Sequence, residues 1–595
     1  MEETRAQAYQ QLIETLLNCP NGEEPQILQD NLELVDSGFL QVCKVVAENL
    51  AEEGQENDAN FLRKLASQLG QFLGMNDEGD SDNSEGKNPQ EYAKFIGDLL
   101  QAEKDSKGDI KIIYPMLAGR QHLLNDRFAE ILQLVVPNFI AEHPEAIESI
   151  LGDMGNLSIH ISDFPLGKRA NNLEIAITGY QILLKNSEPG SENWARTQNN
   201  LANAYSNRIR GEKAQNIERA IASYTAALSV RTREAFPEKW ALTQNNLAAA
   251  YTYRIRGEKA QNIELAIASY TAALTVYTRD AFPQDWARTQ NNLASAYRGR
   301  IRGDKAENIE SAIASYTAAL TVYTREAFPE YWARTQNNLA SAYCERIRGE
   351  KAENIEVALA SYTAALSVRT RDAFPQDWAQ TQNNLGIAYS DRIRGEKAEN
   401  IEMAIASYTA ALTVYTRDAF PENWALTQNN LAAAYTYRIR GEKAQNIELA
   451  IASCTAALTV YTRDAFPEYW ARTQNNLAAA YTYRIRGETA QNIELAIAFY
   501  TAALTVYTRD AFPENWAATQ NNLGEAYRNR IRGEKAQNIE LAIASCTAAL
   551  TVYTRDAFPE NWAQTQHNLA AAYSDRIRGE KAENIELAIA SYTAA

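Results

Sequence analysis

Four oxygen-bearing side chains near the start of the chain have the spacing of a calcium-binding loop. They are Asp80, Asp82, Ser84 and Glu91, at positions 1, 3, 5 and 12 of such a loop. The loop also needs glycine at position 6, but this chain has Glu85 there and Gly86 one place later. The stretch "MNDEGDSDNSEGKNP", residues 75–89, is acidic and has no apolar anchor. Its composition favours a flexible linker, and we expect no metal site.

The histidines and cysteines form no catalytic pattern. His122, His143 and His160 are scattered, and the five cysteines show no CxxC spacing. Cys454 and Cys546 stand in a repeated segment where most other copies have tyrosine, so we interpret them as packing residues in a reducing compartment. Without a Cys/His pair or a ligand cluster, we predict that the chain is not an enzyme and has no cofactor.

The elements that position the remaining side chains are repeats with a period of 46 residues. The nine tryptophans mark the period: Trp194, Trp240, Trp286, Trp332, Trp378, Trp424, Trp470, Trp516 and Trp562. A fixed period of this length is typical of a solenoid, in which each unit buries its apolar face against its neighbours. We predict an all-α fold, an α-solenoid of helix pairs preceded by a helical N-terminal region.

Each repeat is predicted to contain two antiparallel helices of about 18 residues. In the repeat of Trp424 the first helix begins near Pro421, since proline suits a first turn, and ends before Gly441. The second opens at "NIE", with Asn446 as its N-cap and Glu448 near its positive end.

The repeat resembles the tetratricopeptide (TPR) helix pair. Its "NNLAAAY" and "LAIASYTAAL" segments carry the small and aromatic residues of that pair, although the ordinary TPR is shorter. The chain is similar to large bacterial TPR proteins with long repeats, some of which are joined to a CHAT caspase-like peptidase domain. The resemblance implies a right-handed superhelix that holds peptides or proteins on its concave face.

Charge divides the chain into two parts. Residues 1–165 have 30 Asp and Glu against 11 Lys and Arg, whereas the rest has 45 against 47. Because the second part is close to neutral and the first is acidic, nucleic-acid binding is not expected. No apolar run is long enough to cross a bilayer and the start "MEETRAQAYQ" is unlike a signal peptide, so we expect a cytoplasmic protein without a membrane partner.

Four segments are predicted along the chain. Residues 1–74 are a helical subdomain, 75–89 the acidic linker, 90–165 a second helical subdomain and 166–595 the repeat array, whose last unit is truncated. The second subdomain is a degenerate copy of the first, as "AYQQLIETLL" and "EYAKFIGDLL" show.

One face of the first helix varies among the copies. With Trp as position 0, positions 0, 3, 7, 10, 11, 14 and 15 are Trp, Thr, Leu, Ala, Tyr, Arg and Ile in all nine copies, while 2, 9, 12 and 13 differ. At about 100° per residue the two sets fall on opposite faces. We expect the fixed face to stack and the variable face to bind a partner, through Tyr253, Arg298, Tyr437, Tyr483, Glu525 and Arg528 among others.

Position 5 is constant within this variable face. It is Asn199, Asn245, Asn291, Asn337, Asn383, Asn429, Asn475 and Asn521, then His567. An exposed amide can bond both N–H and C=O of an extended peptide, so a ladder of partner-binding asparagines is predicted. The alternative is that each Asn bonds the backbone of the neighbouring repeat.

Position 16 places a second constant residue near this face. Arg256, Arg302, Arg348, Arg394 and Arg440 could form a basic stripe for acidic segments, including the acidic N-terminal region. The favoured alternative is an ion pair with a nearby constant Glu such as Glu258 or Glu264.

These patterns predict a scaffold or adaptor that binds a protein or peptide. A second hypothesis is that the chain is the regulatory region of a CHAT-type peptidase, because "NIELAIASYTAA" stops at Ala595 in mid-helix without a capping element. The same open end suggests self-association through the last repeat. The sequence does not name the partner, the superhelical pitch or the oligomeric state.

Overall fold

The computed structural model describes residues 2–19, 56–72 and 89–595, with single positions between 24 and 50. Every regular element in these residues is a helix, which confirms the predicted all-α class. Most of the predicted linker, with Asp80, Asp82 and Ser84, lies outside the described residues. No cluster of metal-ligating side chains, and no helix long and apolar enough to cross a membrane, occurs in the part of the chain that is described.

Seven helices precede the repeats in the described residues. Their bounds are Glu2–Asn18, Glu56–Phe72, Pro89–Ser106, Ile110–Gly119, Asp126–Glu142, Ile147–Asp163 and Arg169–Asn186. Asn125 caps the fifth of them by accepting from the N–H groups of Arg127 and Phe128. The two copies of the "AYQQLIETLL" pattern lie inside the first and third helices, so their helical character is confirmed. The proposed boundary at 165/166 falls in the turn between two helices that pack together as a pair.

The repeats form helix pairs of constant length. The first helices are Glu192–Asn207, Pro237–Thr252, Pro283–Arg298, Pro329–Cys344, Pro375–Ser390, Pro421–Thr436, Pro467–Thr482, Pro513–Arg528 and Pro559–Ser574. The second helices are Lys213–Leu228, Lys259–Leu274, Lys305–Leu320, Lys351–Leu366, Lys397–Leu412, Lys443–Leu458, Thr489–Leu504, Lys535–Leu550 and Lys581–Ala594.

The helices of a pair run antiparallel. In the second repeat Ala241, early in the first helix, packs with Ala273 at the end of the second. Ala248, further along the first helix, packs with Ile263 at the start of the second. Small side chains at these contacts let the helices approach closely.

The predicted bounds are right for the first helix of the pair and wrong for the start of the second. Pro421 begins its helix as predicted, and the helix ends at Thr436, before Gly441 as predicted but five residues short of it. The second helix begins at Lys443 and its N-cap is Glu442, not Asn446. Each of these helices therefore has 16 residues.

Asn446 has a different role, which is to hold the turn between the helices. It is buried, with 2% exposed, and its amide donates to the carbonyl of Arg440 at 2.9 Å. Its side-chain oxygen accepts from Arg438 at 3.4 Å. Gly441 lies in this turn with a φ of 80°, a left-handed conformation that favours glycine. The turn is thus fixed by a buried amide and a glycine.

The chain divides into two compact units, Met1–Arg348 and Gly349–Ala595. In the first unit one apolar core extends from Tyr9 through the N-terminal helices into the first two repeats, as far as Ala250. In the second unit the apolar contacts form one cluster after another; one of these joins Ala478, Tyr500 and Leu523. Each such cluster includes residues of two successive repeats, which is how a solenoid unit is stabilised.

The tryptophans lie between repeats, as predicted for a packing residue. Trp240 and Trp286 both pack against the cluster of Ala241, Ala273 and Tyr277. Each indole is half-buried. The Trp of one repeat therefore contributes to the contact with the next.

Candidate functional site

A groove in the first unit is lined by three consecutive helices that each begin a helix pair. They are Ile147–Asp163, Glu192–Asn207 and Pro237–Thr252. It consists of two cavities of about 610 and 450 Å³ that share Ile159, Tyr180 and Asn200. The larger cavity extends across the helices Glu192–Asn207 and Pro237–Thr252 to the tyrosine that caps the second of these, Tyr253. Each volume is in the range of small ligand sites.

The larger cavity is lined by residues from the variable positions. Asn203 and Asn207, at positions 9 and 13 of the first repeat, lie there together with Tyr253, at position 13 of the second. Tyr253 is 66% exposed. The face predicted to vary and to be accessible is therefore the one that forms this groove. We call positions 6, 9, 12 and 13 of the first helices the first-helix face.

The groove offers both amide and charged groups. Asn203 accepts from the hydroxyl of Tyr224 at 2.6 Å and from the amide of Asn246 at 3.3 Å. Burial raises the pKa of Tyr224 to about 12, so its hydroxyl stays a neutral donor. Asp163, Arg169 and Lys213 add one negative and two positive charges to the wall.

The asparagines at position 5 were predicted to be exposed, but most of them are buried. Six of them are buried, with at most 5% exposed: Asn199, Asn245, Asn291, Asn337, Asn383 and Asn429. The helix contacts its own partner helix and the first helices on both sides, so position 5 faces a neighbour. Asn475 and Asn521 are half-buried, and His567 is exposed with its ring 5.3 Å from that of Tyr592.

These asparagines bond the neighbouring repeat, which was the alternative interpretation. The partner groups are side chains and not backbone, however. Asn429 accepts from the amide of Asn476 in the next repeat at 3.1 Å. Thr289 lies 3.1 Å from the side-chain oxygen of Asn245 in the repeat before it. A partner-binding role for position 5 stays a prediction.

Position 6 carries a second constant asparagine, and the sequence reasoning missed it. It is Asn200, Asn246, Asn292, Asn338, Asn384, Asn430, Asn476, Asn522 and Asn568, one in every copy. Asn200 and Asn246 line the larger cavity. Their constancy was visible in the sequence, but position 6 lies at the edge of the variable face on a helical wheel and was not assigned to it.

The arginine and glutamate pairs differ in part from those expected. Glu264 binds Arg300, at position 14 of the next repeat, through two hydrogen bonds of 2.8 Å. The expected pairing of a position 16 arginine with Glu264 is therefore wrong.

Position 16 does pair with a glutamate in two other repeats. Arg532 lies 3.5 Å from Glu488, which is in the same repeat position as Glu258. Arg348 lies 3.8 Å from Glu307. Arg256 at position 16 is exposed. In the first repeat Arg210, at the same position, pairs with Asp126 of the acidic N-terminal region.

Tyr437, Tyr483 and Glu525 come together in the second unit. Tyr437 and Tyr483 follow the last turns of adjacent first helices, and Glu525 is on the next first helix. Tyr437 is 59% exposed and Tyr483 38%. Burial raises the pKa of both hydroxyls, and the negative charge of Glu525 raises it further.

The remaining predicted residues, Arg298 and Arg528, lie in different units. Arg298 is 3.6 Å from Glu345 on the following first helix, so it belongs to an ion pair of the first unit. Arg528 ends its helix in the second unit, and its carbonyl accepts from Lys535 at 2.9 Å.

Comparison with protein families finds the tetratricopeptide repeat at residues 194–234 and 332–372. The repeats of this chain are similar to tetratricopeptide repeats. The two matched segments begin at Trp194 and Trp332, so each covers one helix pair in the register that the tryptophans define. No curated protein matches the chain.

Three solved structures illustrate the structural likeness. A signal transduction ATPase with numerous domains (STAND) and a tetratricopeptide repeat sensor, PH0952 from Pyrococcus horikoshii, is 13% identical, with 97% of this chain and 88% of that chain covered and a TM-score of 0.45. The APC/C hetero-tetramer Cut9-Hcn1 is 15% identical, with coverage of 85% and 94% and a TM-score of 0.33. The TPR domain of P58(IPK) is 13% identical, with coverage of 71% and 98% and a TM-score of 0.21.

Proposed function

We propose that this protein is a scaffold that binds an extended segment of a partner protein along the first-helix face. The observation that supports the proposal is the groove of the first unit, because the side chains that differ among otherwise similar repeats line it. Constant residues build the helix pairs, and the cavity is lined by variable residues such as Asn203 together with constant ones such as Asn200. An extended surface acquires specificity in this way.

The groove is suited to a peptide backbone. Amide side chains such as Asn200 and Asn246 both donate and accept, so they can pair with the N–H and C=O groups of an extended segment. Tyr253 adds an exposed ring with a hydroxyl, a side chain that recurs at binding surfaces because it is large and has few rotamers. Asp163 and Lys213 would select the charge of individual partner residues.

A binding role without catalysis is consistent with the protonation state of two cysteine thiols. Burial raises the pKa of Cys454 and of Cys546 to about 12, so both stay protonated at neutral pH. A protonated and buried thiol is a poor nucleophile. These two cysteines replace the tyrosine that packs at the same place in other repeats, for example Tyr500.

Selecting binders to the whole protein from a displayed library of random peptides tests the proposal. Recovered peptides are titrated into the wild type and into Asn203→Ala and Tyr253→Asn. Both substitutions copy residues that other repeats carry at the same positions, Ala249 and Asn529, so the fold should tolerate them. We expect about tenfold weaker binding for peptides that occupy the groove, since each variant removes polar contacts.

Ala222→Ser is the matched control, because Ala222 is exposed on the second helix of the first repeat. It should leave every affinity unchanged. If no recovered peptide distinguishes the groove variants from this control, the first unit does not bind segments in its groove and the proposal fails.

A further inference from the structure

The second unit holds a half-buried carboxylate that has no cationic partner. Glu525 is the acidic residue at position 9 of the first helices, where the other repeats have Asn, Ala, Ser or Ile. Among the described residues no Lys, Arg or His nitrogen lies within 4 Å of its carboxylate, although Arg528 follows three residues later on the same helix. An unpaired carboxylate at a partly desolvated position favours the approach of a cation.

Two tyrosine rings stand beside this carboxylate. The first helices Pro421–Thr436, Pro467–Thr482 and Pro513–Arg528 pack side by side. Tyr437 and Tyr483 cap the first two, and Glu525 lies one turn before the cap of the third. Side-by-side packing therefore aligns the two rings with the carboxylate on the first-helix face. Aromatic faces and a carboxylate together are the groups that recognise ammonium and guanidinium ions.

An ammonium group already contacts one of these rings. Lys443, the first residue of a second helix, places its Nζ 5.7 Å from the ring centre of Tyr483 in the next repeat. The corresponding residue one repeat later is Thr489, where the other eight repeats have lysine. The spacing of Lys443 and Tyr483 pairs residue 489 with Asn529, one turn after Glu525, so this repeat has a neutral side chain where the others have a lysine.

We propose that Tyr437, Tyr483 and Glu525 form a subsite that takes a lysine or arginine side chain of the partner segment. The inference rests on the proposed function, because the subsite lies on the first-helix face, and it adds the charge of the partner. Repeats 2 to 4 provide a natural contrast. The residues at the positions of Tyr437, Tyr483 and Glu525 are there Tyr253, Gly299 and Ser341, so one ring and the carboxylate are missing.

Titration of the whole protein with a short peptide of alternating lysine and serine tests the subsite. A second peptide with acetyl-lysine in place of lysine has the same shape without the charge. We expect the lysine peptide to bind more tightly than the acetylated one, and Glu525→Ser to weaken it by about tenfold. Serine already stands at position 9 in two other repeats, so this variant should fold.

Two further variants separate the subsite from general charge effects. Glu514→Gln removes an exposed carboxylate from the same helix and should not change the affinity. Lys443→Met removes the internal competitor from Tyr483 and should tighten binding of the lysine peptide. Equal affinity of the wild type and Glu525→Ser for the lysine peptide overturns the inference. The proposed scaffold function survives that outcome if library peptides still depend on Asn203, and fails only if they do not.

Discussion

Arg484 binds Glu448 of the preceding repeat through two hydrogen bonds, from Nε at 2.8 Å and from a terminal nitrogen at 3.0 Å. The glutamate is the one predicted to stabilise its own helix start. The pair links the turn of one repeat to the second helix of the previous one. Equivalent pairs are Arg208–Glu174, Arg254–Glu218, Arg300–Glu264, Arg346–Glu310, Arg392–Glu356, Arg438–Glu402, Arg530–Glu494 and Arg576–Glu540.

Replacing Arg484 by lysine should lower the free energy of unfolding by about 1 kcal/mol. Lysine keeps the charge but cannot make two parallel bonds to one carboxylate, and both side chains are about a quarter exposed, at 26% and 27%. Urea denaturation of the two proteins measures the difference. Arg486→Lys, two residues later at an exposed position, is the control and should change stability little. An equal effect of the two variants would show that the pair does not fix the repeats.

Acid should destabilise the array through the same pairs. The hydrogen bond from arginine lowers the pKa of Glu448 and of the glutamates in seven other pairs: Glu218, Glu264, Glu310, Glu356, Glu402, Glu494 and Glu540. A carboxylate whose pKa is lower in the folded state stabilises that state above its ordinary pKa of about 4.3, and the contribution is lost as pH falls through the lowered value.

Urea midpoints measured from pH 7 down to about pH 3 check this prediction. The midpoint should be level near neutrality and fall below the ordinary glutamate pKa. Glu448→Gln has one titrating pair fewer, so its midpoint should depend less on pH in the acid range. Parallel curves for the two proteins would contradict the assignment.

The helical wheel explains both what was predicted and what was missed. It separated the packing face from the variable face correctly for positions 7 and 9, because both lie well inside the helix. Its use at positions 14 to 16 was wrong, because the helix ends at position 12, as Thr436 shows. Ile439 at position 15 was assigned to the packing face and is 59% exposed. A wheel angle has no meaning beyond the last helical residue.

Position 5 was misplaced for a different reason. A wheel assumes one packed face and one solvated face, which suits a helix on the surface of a globular domain. In an array each first helix also touches the first helices before and after it, so more of its circumference is buried. Asn429, at about 140° from the tryptophan, is therefore 1% exposed. The sequence shows the period but not how closely neighbouring repeats approach.

Asn429→Ala should destabilise the second unit by about 1 to 3 kcal/mol. The substitution removes the acceptor of the Asn476 amide, which is 3.1 Å away, and leaves a small gap in the packed region between the repeats. Thermal or urea unfolding measures the change. His567→Ala at the same position of the last repeat is the control, since His567 is exposed and should change stability by only a few tenths of a kcal/mol. A large loss at His567 and none at Asn429 would contradict the burial argument.

Gly441 tests whether the turn between the helices depends on backbone conformation or on space. Its φ is 80°, and a Cβ added there would meet the side-chain oxygen of Asn446 at 3.6 Å, an ordinary contact. Space is therefore available, and the cost of Gly441→Ala should come from the left-handed conformation alone, about 1 kcal/mol. Gly441→Asn should cost less despite its larger side chain, because asparagine adopts this conformation more readily than alanine. Urea denaturation of both variants ranks them, and a greater loss for asparagine would mean that crowding against Asn446, not backbone conformation, limits this position.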